Sequence, residues 1–284
     1  MARAVFRSLL VPLDGSASAD AALRLALRLV APDGEVLVAH SIDRTAIAVA
    51  CAEPYGASLG PALDAFEADQ RAIFATALST AAAAGVRCAT ASLDGSPARA
   101  VATCARAHGV EAIAMGTHGR RGLARLILGS TAAGVLDAAE LPVFVVDEHS
   151  AAQVPAAFRS VFVGVDASPA SRRAVRFAID LAAHDGGAVF FANVVQDAMP
   201  ADEASLSEAC SDARAAGVSA DSAVLHGDPV EALLIAAQAR KADLIAIGAH
   251  GRARRPFRLG SVAEAVARTS MVPVLVTPPA STAS

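Results

Sequence analysis

The sequence predicts an α/β chain made of two tandem, doubly wound domains. Each has a five-stranded parallel sheet in the order 3-2-1-4-5, flanked by helices. Three observations carry that expectation. Short, nearly continuous apolar runs, as strands buried on both faces require, alternate with alanine-rich stretches of helical spacing. One such run, Ile113-Ala114-Met115, stops at Gly116 and is followed by Gly119 and Gly129, then Ser130 and Thr131 at the start of an apolar helical pattern. Finally, the whole pattern occurs twice: Gly95 precedes Gly116 by the same 21 positions that separate Gly227 from Gly248.

Taken in order, residues 8–13 form a strand that ends at Asp14, and Asp14-Gly15-Ser16 turns the chain. Ser16 or Ser18 can cap a helix carrying Leu23, Leu27 and Val30, which Pro32-Asp33-Gly34 ends. A second strand covers 35–41. Residues 45–61, with Pro54, Gly56, Gly60 and Pro61, read as an excursion before a long helix over 62–84 that stops at Gly85. A third strand covers 86–93. Gly95-Ser96-Pro97 opens the next helix, with serine as cap and proline in first place. The strand at 113–115, the glycine loop, a helix over 130–139 and a strand over 142–146 complete the unit. Residues 149–158 lack periodicity and read as a linker between domains at 1–148 and 159–279, with a tail at 280–284. Both fifth strands, 142–146 and 273–276, are short and apolar. At sheet edges they invite pairing, which would make the chain an intrachain pseudo-dimer and leaves room for a homodimer.

Doubly wound order sets strand 1 beside strand 4 and opens a crevice at their C-terminal ends. Asp14 and Gly116 converge there, although about a hundred residues separate them. Glycines let backbone N–H groups approach a ligand, and a helix N-terminus favours an anion such as phosphate.

The motifs Val11-Pro12-Leu13-Asp14-Gly15-Ser16, Gly95-Ser96-Pro97 and Gly116-Thr117-His118-Gly119 through Gly129-Ser130-Thr131 resemble the universal stress protein family in its tandem, ATP-binding form. The second half matches with Asp166, Ala167 and Ser168, then Gly248, Gly251, Gly260 and Ser261. The resemblance implies ATP, with or without Mg2+, as the cofactor. It places Asp14 on the adenine or ribose side, together with Pro12, Leu13 and Ser16 of the same turn. Residues near Val38 would line the base pocket. Met115, Gly116, Thr117, His118, Gly119, Arg120, Gly129, Ser130 and Thr131 would hold ribose and phosphates.

The second site is expected to be weaker. Eight residues, not nine, separate Gly251 from Gly260, and they include Pro256, Arg252, Arg254, Arg255 and Arg258. Proline removes an N–H donor from such a cradle. His118 and His250 match in position, but neither has an identifiable carboxylate partner, so both read as solvated loop residues. Arg120, Arg121 and Arg125 read as a charged loop tip. His40 has Asn193 as its counterpart, which argues against a shared chemical role.

No G-x-x-x-x-G-K-[ST] sequence occurs, and neither a base nor an arginine finger for hydrolysis can be named. No catalytic residue is assigned, and a nucleotide-binding stress or regulatory protein is expected. The alternatives are an interaction scaffold with empty crevices and a slow ATPase or nucleotide-using transferase. A net charge of −4 disfavours general nucleic-acid binding. No run of 18 uncharged apolar residues or signal-peptide core is found, so no membrane partner and a cytoplasmic location are expected. Four scattered cysteines read as free thiols, and histidine spacing gives no metal site.

Overall fold

Buried strands need hydrogen-bonding partners on both sides, and the apolar runs meet that need by lying parallel to one another. The protein is described by a computed structural model at residues 6–52, 58–117, 128–147, 154–196, 201–250 and 259–279. The first half runs β1 (Phe6–Pro12), α1 (Ala17–Leu29), β2 (Val30–Ile42), α2 (Arg44–Cys51), α3 (Leu59–Ala83), β3 (Arg87–Asp94), α4 (Pro97–Ala107), β4 (Ala112–Gly116), α5 (Ser130–Ala138) and β5 (Val143–Val146). The second half runs β6 (Ser160–Gly164), α6 (Pro169–Asp185), β7 (Ala188–Val195), α7 (Glu203–Ala215), β8 (Ser219–His226), α8 (Pro229–Ala239), β9 (Leu244–Gly248), α9 (Ser261–Thr269) and β10 (Val274–Thr277).

All strands join one sheet in the order β3-β2-β1-β4-β5-β10-β9-β6-β7-β8. Each half thus has the expected 3-2-1-4-5 order, and pairing is parallel everywhere except at the central seam. There β5 and β10 are antiparallel, with Val145 opposite Val274, Phe144 opposite Leu275 and Val143 opposite Val276. Phe144 and Leu275 are also each other's counterparts in the sequence repeat, so a pseudo-twofold axis passes through that pair. Strands of the two halves therefore run in opposite directions, and the two crevices open at opposite edges of the sheet.

Alternating side chains of every strand feed two cores, one on each face of the sheet, and both run through the two halves. Phe144 and Leu275 face the α1/α6 side, where the Phe6 ring meets Phe144 edge-on at 5.8 Å and stacks on Phe177 of α6 at 5.8 Å. Val143, Val145, Val274 and Val276 face the opposite side, among residues of α4, α5, α8 and α9. These six seam side chains are each at most 1% exposed, which amounts to gross stabilisation on the order of 10 kcal/mol before chain entropy. Across the same interface, Arg28 Nη1 lies 2.8 Å from Asp185 Oδ2, and its guanidinium lies 4.2 Å above the Phe158 ring. Asp185 also accepts the Phe158 N–H at 2.5 Å. Burying both charges costs much of what their attraction returns, so the apolar seam dominates.

Several local readings are corrected. The first helix ends at Leu29, not at Pro32-Asp33-Gly34, because Val30 already pairs with Phe6 at the start of β2. The Pro-Asp-Gly segment runs inside that strand. A side chain at Gly34 would meet the Arg7 carbonyl oxygen and Val30 Cγ2, each at 2.6 Å, so glycine serves close packing rather than a helix stop. The excursion at 45–61 holds α2, whose N-cap Asp43 accepts the Ala46 N–H at 2.8 Å. Ser16, rather than Ser18, accepts the α1 cap bond. Ser96 makes no side-chain cap bond, whereas its counterpart Asp228 accepts the N–H groups of Val230 and Glu231 at 3.0 Å.

Val145→Lys puts an ammonium into the buried seam. We expect hydrogen exchange of the β5 and β10 amides to accelerate ahead of those in β1 and β6, with a lower melting temperature. Unchanged seam protection would show that the halves are held elsewhere.

Candidate functional site

β1 ends at Pro12, yet its pairing with β2 continues for one more residue: Leu13 N–H donates to the Ala39 carbonyl at 2.8 Å. The Leu13 carbonyl is met by His40 Nδ1 at 2.6 Å. In the second half, Val165 N–H donates to Ala192 at 2.7 Å, and Asn193 Nδ2 donates to the Val165 carbonyl at 2.7 Å. A carbonyl can only accept, so His40 carries a proton on Nδ1. Histidine and asparagine therefore share one positioning role, contrary to the expectation from their different chemistry. Each fixes the residue immediately before an aspartate.

Those aspartates stand alike. Asp14 Oδ1 accepts the Ser16 N–H at 3.0 Å, and Asp166 Oδ1 accepts the Ser168 N–H at 3.0 Å. The turns use positive φ at Gly15 (76°) and at Ala167 (59°), an uncommon conformation for alanine. Ser16 and Ser168 accept the N–H groups of Ala19 and Ser171 at 3.3 and 3.0 Å, so both hydroxyls serve as helix caps.

At the ends of β4 and β9, Gly116 and Gly248 allow a helix to approach. A Cβ on Gly116 would lie 2.9 Å from the Ala19 nitrogen, and one on Gly248 would lie 2.7 Å from the Ser171 nitrogen. These glycines seat α1 and α6 on the sheet, a packing role absent from the sequence reading. Past them, Gly129 N–H donates to the Thr117 carbonyl at 2.9 Å, and Gly260 N–H to that of Ala249 at 2.7 Å. The two loops thus close at equivalent necks. Thr117 is 1% exposed and donates its hydroxyl to Asp147 at 3.0 Å. Gly129 and Gly260 are the N-caps of α5 and α9 and offer no side-chain acceptor, so Ser130 is the first helical residue rather than a cap. The first-turn N–H groups consequently need an acceptor from elsewhere. His118, Gly119, Arg120 and Gly251 lie outside the described residues, as do Arg121, Arg125 and the four arginines of the second loop.

A cavity of about 1090 Å³ occupies the crevice of the second half. Asp166, Asn193, Gly248, His250, Gly260 and Ser261 are among its walls. Pro12, Leu13, Met115 and Thr131 have Gly164, Val165, Ile247 and Val262 as counterparts, all of which border it. Val38 does not fit the base-pocket expectation. It is 0% exposed in the core, as is its counterpart Phe191. The crevice-facing segment of β7 begins at Ala192, which places the corresponding part of β2 at Ala39 and beyond. Both ring nitrogens of His250 are buried without a hydrogen-bond partner. The cavity also takes Ala133 and Asp137 from α5 of the other half, and Asp137 Oδ1 accepts the Leu259 N–H. Sequence reasoning missed this crossing, for which the only signal was the pairing tendency of the fifth strands.

Both halves match one known family: the model of the universal stress protein family matches residues 6–147 and 157–278. The chain belongs to the universal stress protein family. A universal stress protein of Mycolicibacterium smegmatis is 29% identical, over 95% of this chain and 97% of the relative. The solved universal stress protein of Archaeoglobus fulgidus DSM 4304 superposes with a TM-score of 0.77 at 24% identity, covering 97% of either chain, a likeness of fold alone. A solved universal stress protein described as a complex with cAMP is 37% identical over 43% of this chain and 97% of its own, with a TM-score of 0.37. Among the described residues, no helix is long and apolar enough to cross a membrane.

His40→Asn should keep the bond that Asn193 makes in the other half, leaving denaturant stability within about 1 kcal/mol of the parent. His40→Leu should cost about 1–3 kcal/mol by leaving the Leu13 carbonyl unpaired. Equal losses in urea titrations of the two variants would refute the shared role.

Proposed function

We propose that this universal stress protein binds ATP in the crevice between β1 and β4 of its first half, as a regulatory module with little turnover. The observation that carries the reading is that Asp14 follows β1 and the uncapped N-terminus of α5 follows its neighbour β4, as their counterparts Asp166, Gly260 and Ser261 share one cavity wall. A carboxylate suits ribose or base donors, while unpaired N–H groups at a helix start suit phosphate. In this reading Asp14 holds the nucleoside end. Gly129, Ser130 and Thr131 meet the phosphates, together with His118, Gly119 and Arg120 of the loop. Mg2+ arrives on the nucleotide's own phosphates, since the described residues contain no group of three or more His, Cys, Asp or Glu able to hold a metal. In the same reading the chain acts in the cytoplasm as an intrachain pseudo-dimer with domains at 1–148 and 159–279, which the antiparallel pairing of β5 with β10 supports.

With no Trp and one Tyr, the protein absorbs weakly near 280 nm, so a co-purifying adenine nucleotide shows as a maximum near 260 nm. Asp14→Ala should lower ATP affinity about tenfold or more in calorimetric titration, with cAMP as a competing ligand. Single-turnover measurements with labelled ATP should find hydrolysis far below about 1 per second. Faster turnover that Asp14→Ala abolishes would replace the binding module with an enzyme.

A further inference from the structure

Helix α5 reaches both crevices. α5 begins at Ser130 beside the first crevice, and near its end Asp137 stands at the wall of the second, accepting the Leu259 N–H. A carboxylate near a helix C-terminus is badly placed for its own helix, whose end is already negative. Across the axis it is well placed, because Leu259 immediately precedes Gly260, the N-cap of α9, where an anion is favoured. The first half therefore supplies the second crevice with an internal anion at the place a phosphate would seek. Glu264, in the first turn of α9, adds a second negative charge to the same cavity wall.

The pseudo-twofold axis maps Asp137 onto Arg268, Leu259 onto Leu128 and Glu264 onto Ala133. Arg268, a guanidinium, thus stands in the repeat where Asp137 stands, and α5 has no acidic residue in its first turn. Arg268 Nε is buried without an acceptor, as a donor awaiting an anion would be. The nucleoside end is unaltered between halves, since Asp166 and Asn193 repeat the bonds of Asp14 and His40. His250 adds two unpaired ring nitrogens to the second cavity.

We propose that the residue reaching across the axis sets what each crevice takes. Arg268 admits phosphate to the first crevice. Asp137 excludes it from the second, which takes an uncharged nucleoside instead. This rests on the nucleotide reading of the first crevice.

Calorimetry on the full chain with ATP and with adenosine tests it. The parent should bind one ATP, lost in Asp14→Ala, and adenosine at a site lost in Asp166→Ala that ATP does not displace. Asp137→Asn keeps an acceptor for Leu259 and removes only the charge. It should raise ATP affinity at the second crevice about tenfold or more, as a second site abolished by Asp166→Ala. Arg268→Gln should weaken ATP about tenfold and leave adenosine unchanged. Should Asp137→Asn fold poorly, Glu264→Gln lowers the same charge from an exposed position and must shift ATP binding in the same direction. Unchanged ATP stoichiometry and affinity in folded Asp137→Asn overturns the proposal, as does failure of adenosine to bind the second crevice. If the parent binds no ATP, the nucleotide reading of the first crevice falls. A second-crevice ATP site gained in Asp137→Asn would still uphold the role of Asp137, and its absence would refute it.

Discussion

The antiparallel pairing of β5 with β10 is the contact on which the remaining geometry depends. Parallel halves that share one seam must run in opposite directions, and that alone sends the crevices to opposite edges of the sheet. It also brings α5 to the wall of the second crevice and makes both cores continuous. Six nearly inaccessible side chains at the seam outweigh the Arg28–Asp185 pair, whose charges must be stripped of water before they attract. The seam further covers two strands that would otherwise be open, apolar edges.

The architecture was legible because it is written twice. Strand runs, turns and glycines recur in register, and a chance resemblance in one half does not survive comparison with the other. What stayed hidden depends on contacts between residues distant in sequence. The Pro32-Asp33-Gly34 tripeptide reads locally as a helix stop. Only the nearness of the Arg7 carbonyl and the Val30 side chain shows why glycine sits within β2. Gly116 reads as a ligand-facing glycine, yet the backbone of α1 fills the space over it. Val38 is placed in the base pocket by the resemblance alone, and neither resemblance nor strand periodicity reveals where a strand emerges from the core.

His40 and Asn193 carry a related lesson about chemistry. One ionises and the other does not, so a comparison by residue type separates them. Both present a nitrogen donor at a similar reach, and the carbonyl before each aspartate requires nothing more. The histidine's second nitrogen is an extra that only the first half possesses.

A single polypeptide has a freedom that a pair of identical subunits lacks. In a homodimer built about a true twofold axis, whatever one subunit extends over its neighbour's crevice the neighbour must extend back, and the two crevices stay identical through every substitution. Joining the copies in one chain removes that obligation. Asp137 and Arg268 occupy one position in the ancestral unit but are encoded separately here, so opposite charges can settle at places that symmetry would have kept the same.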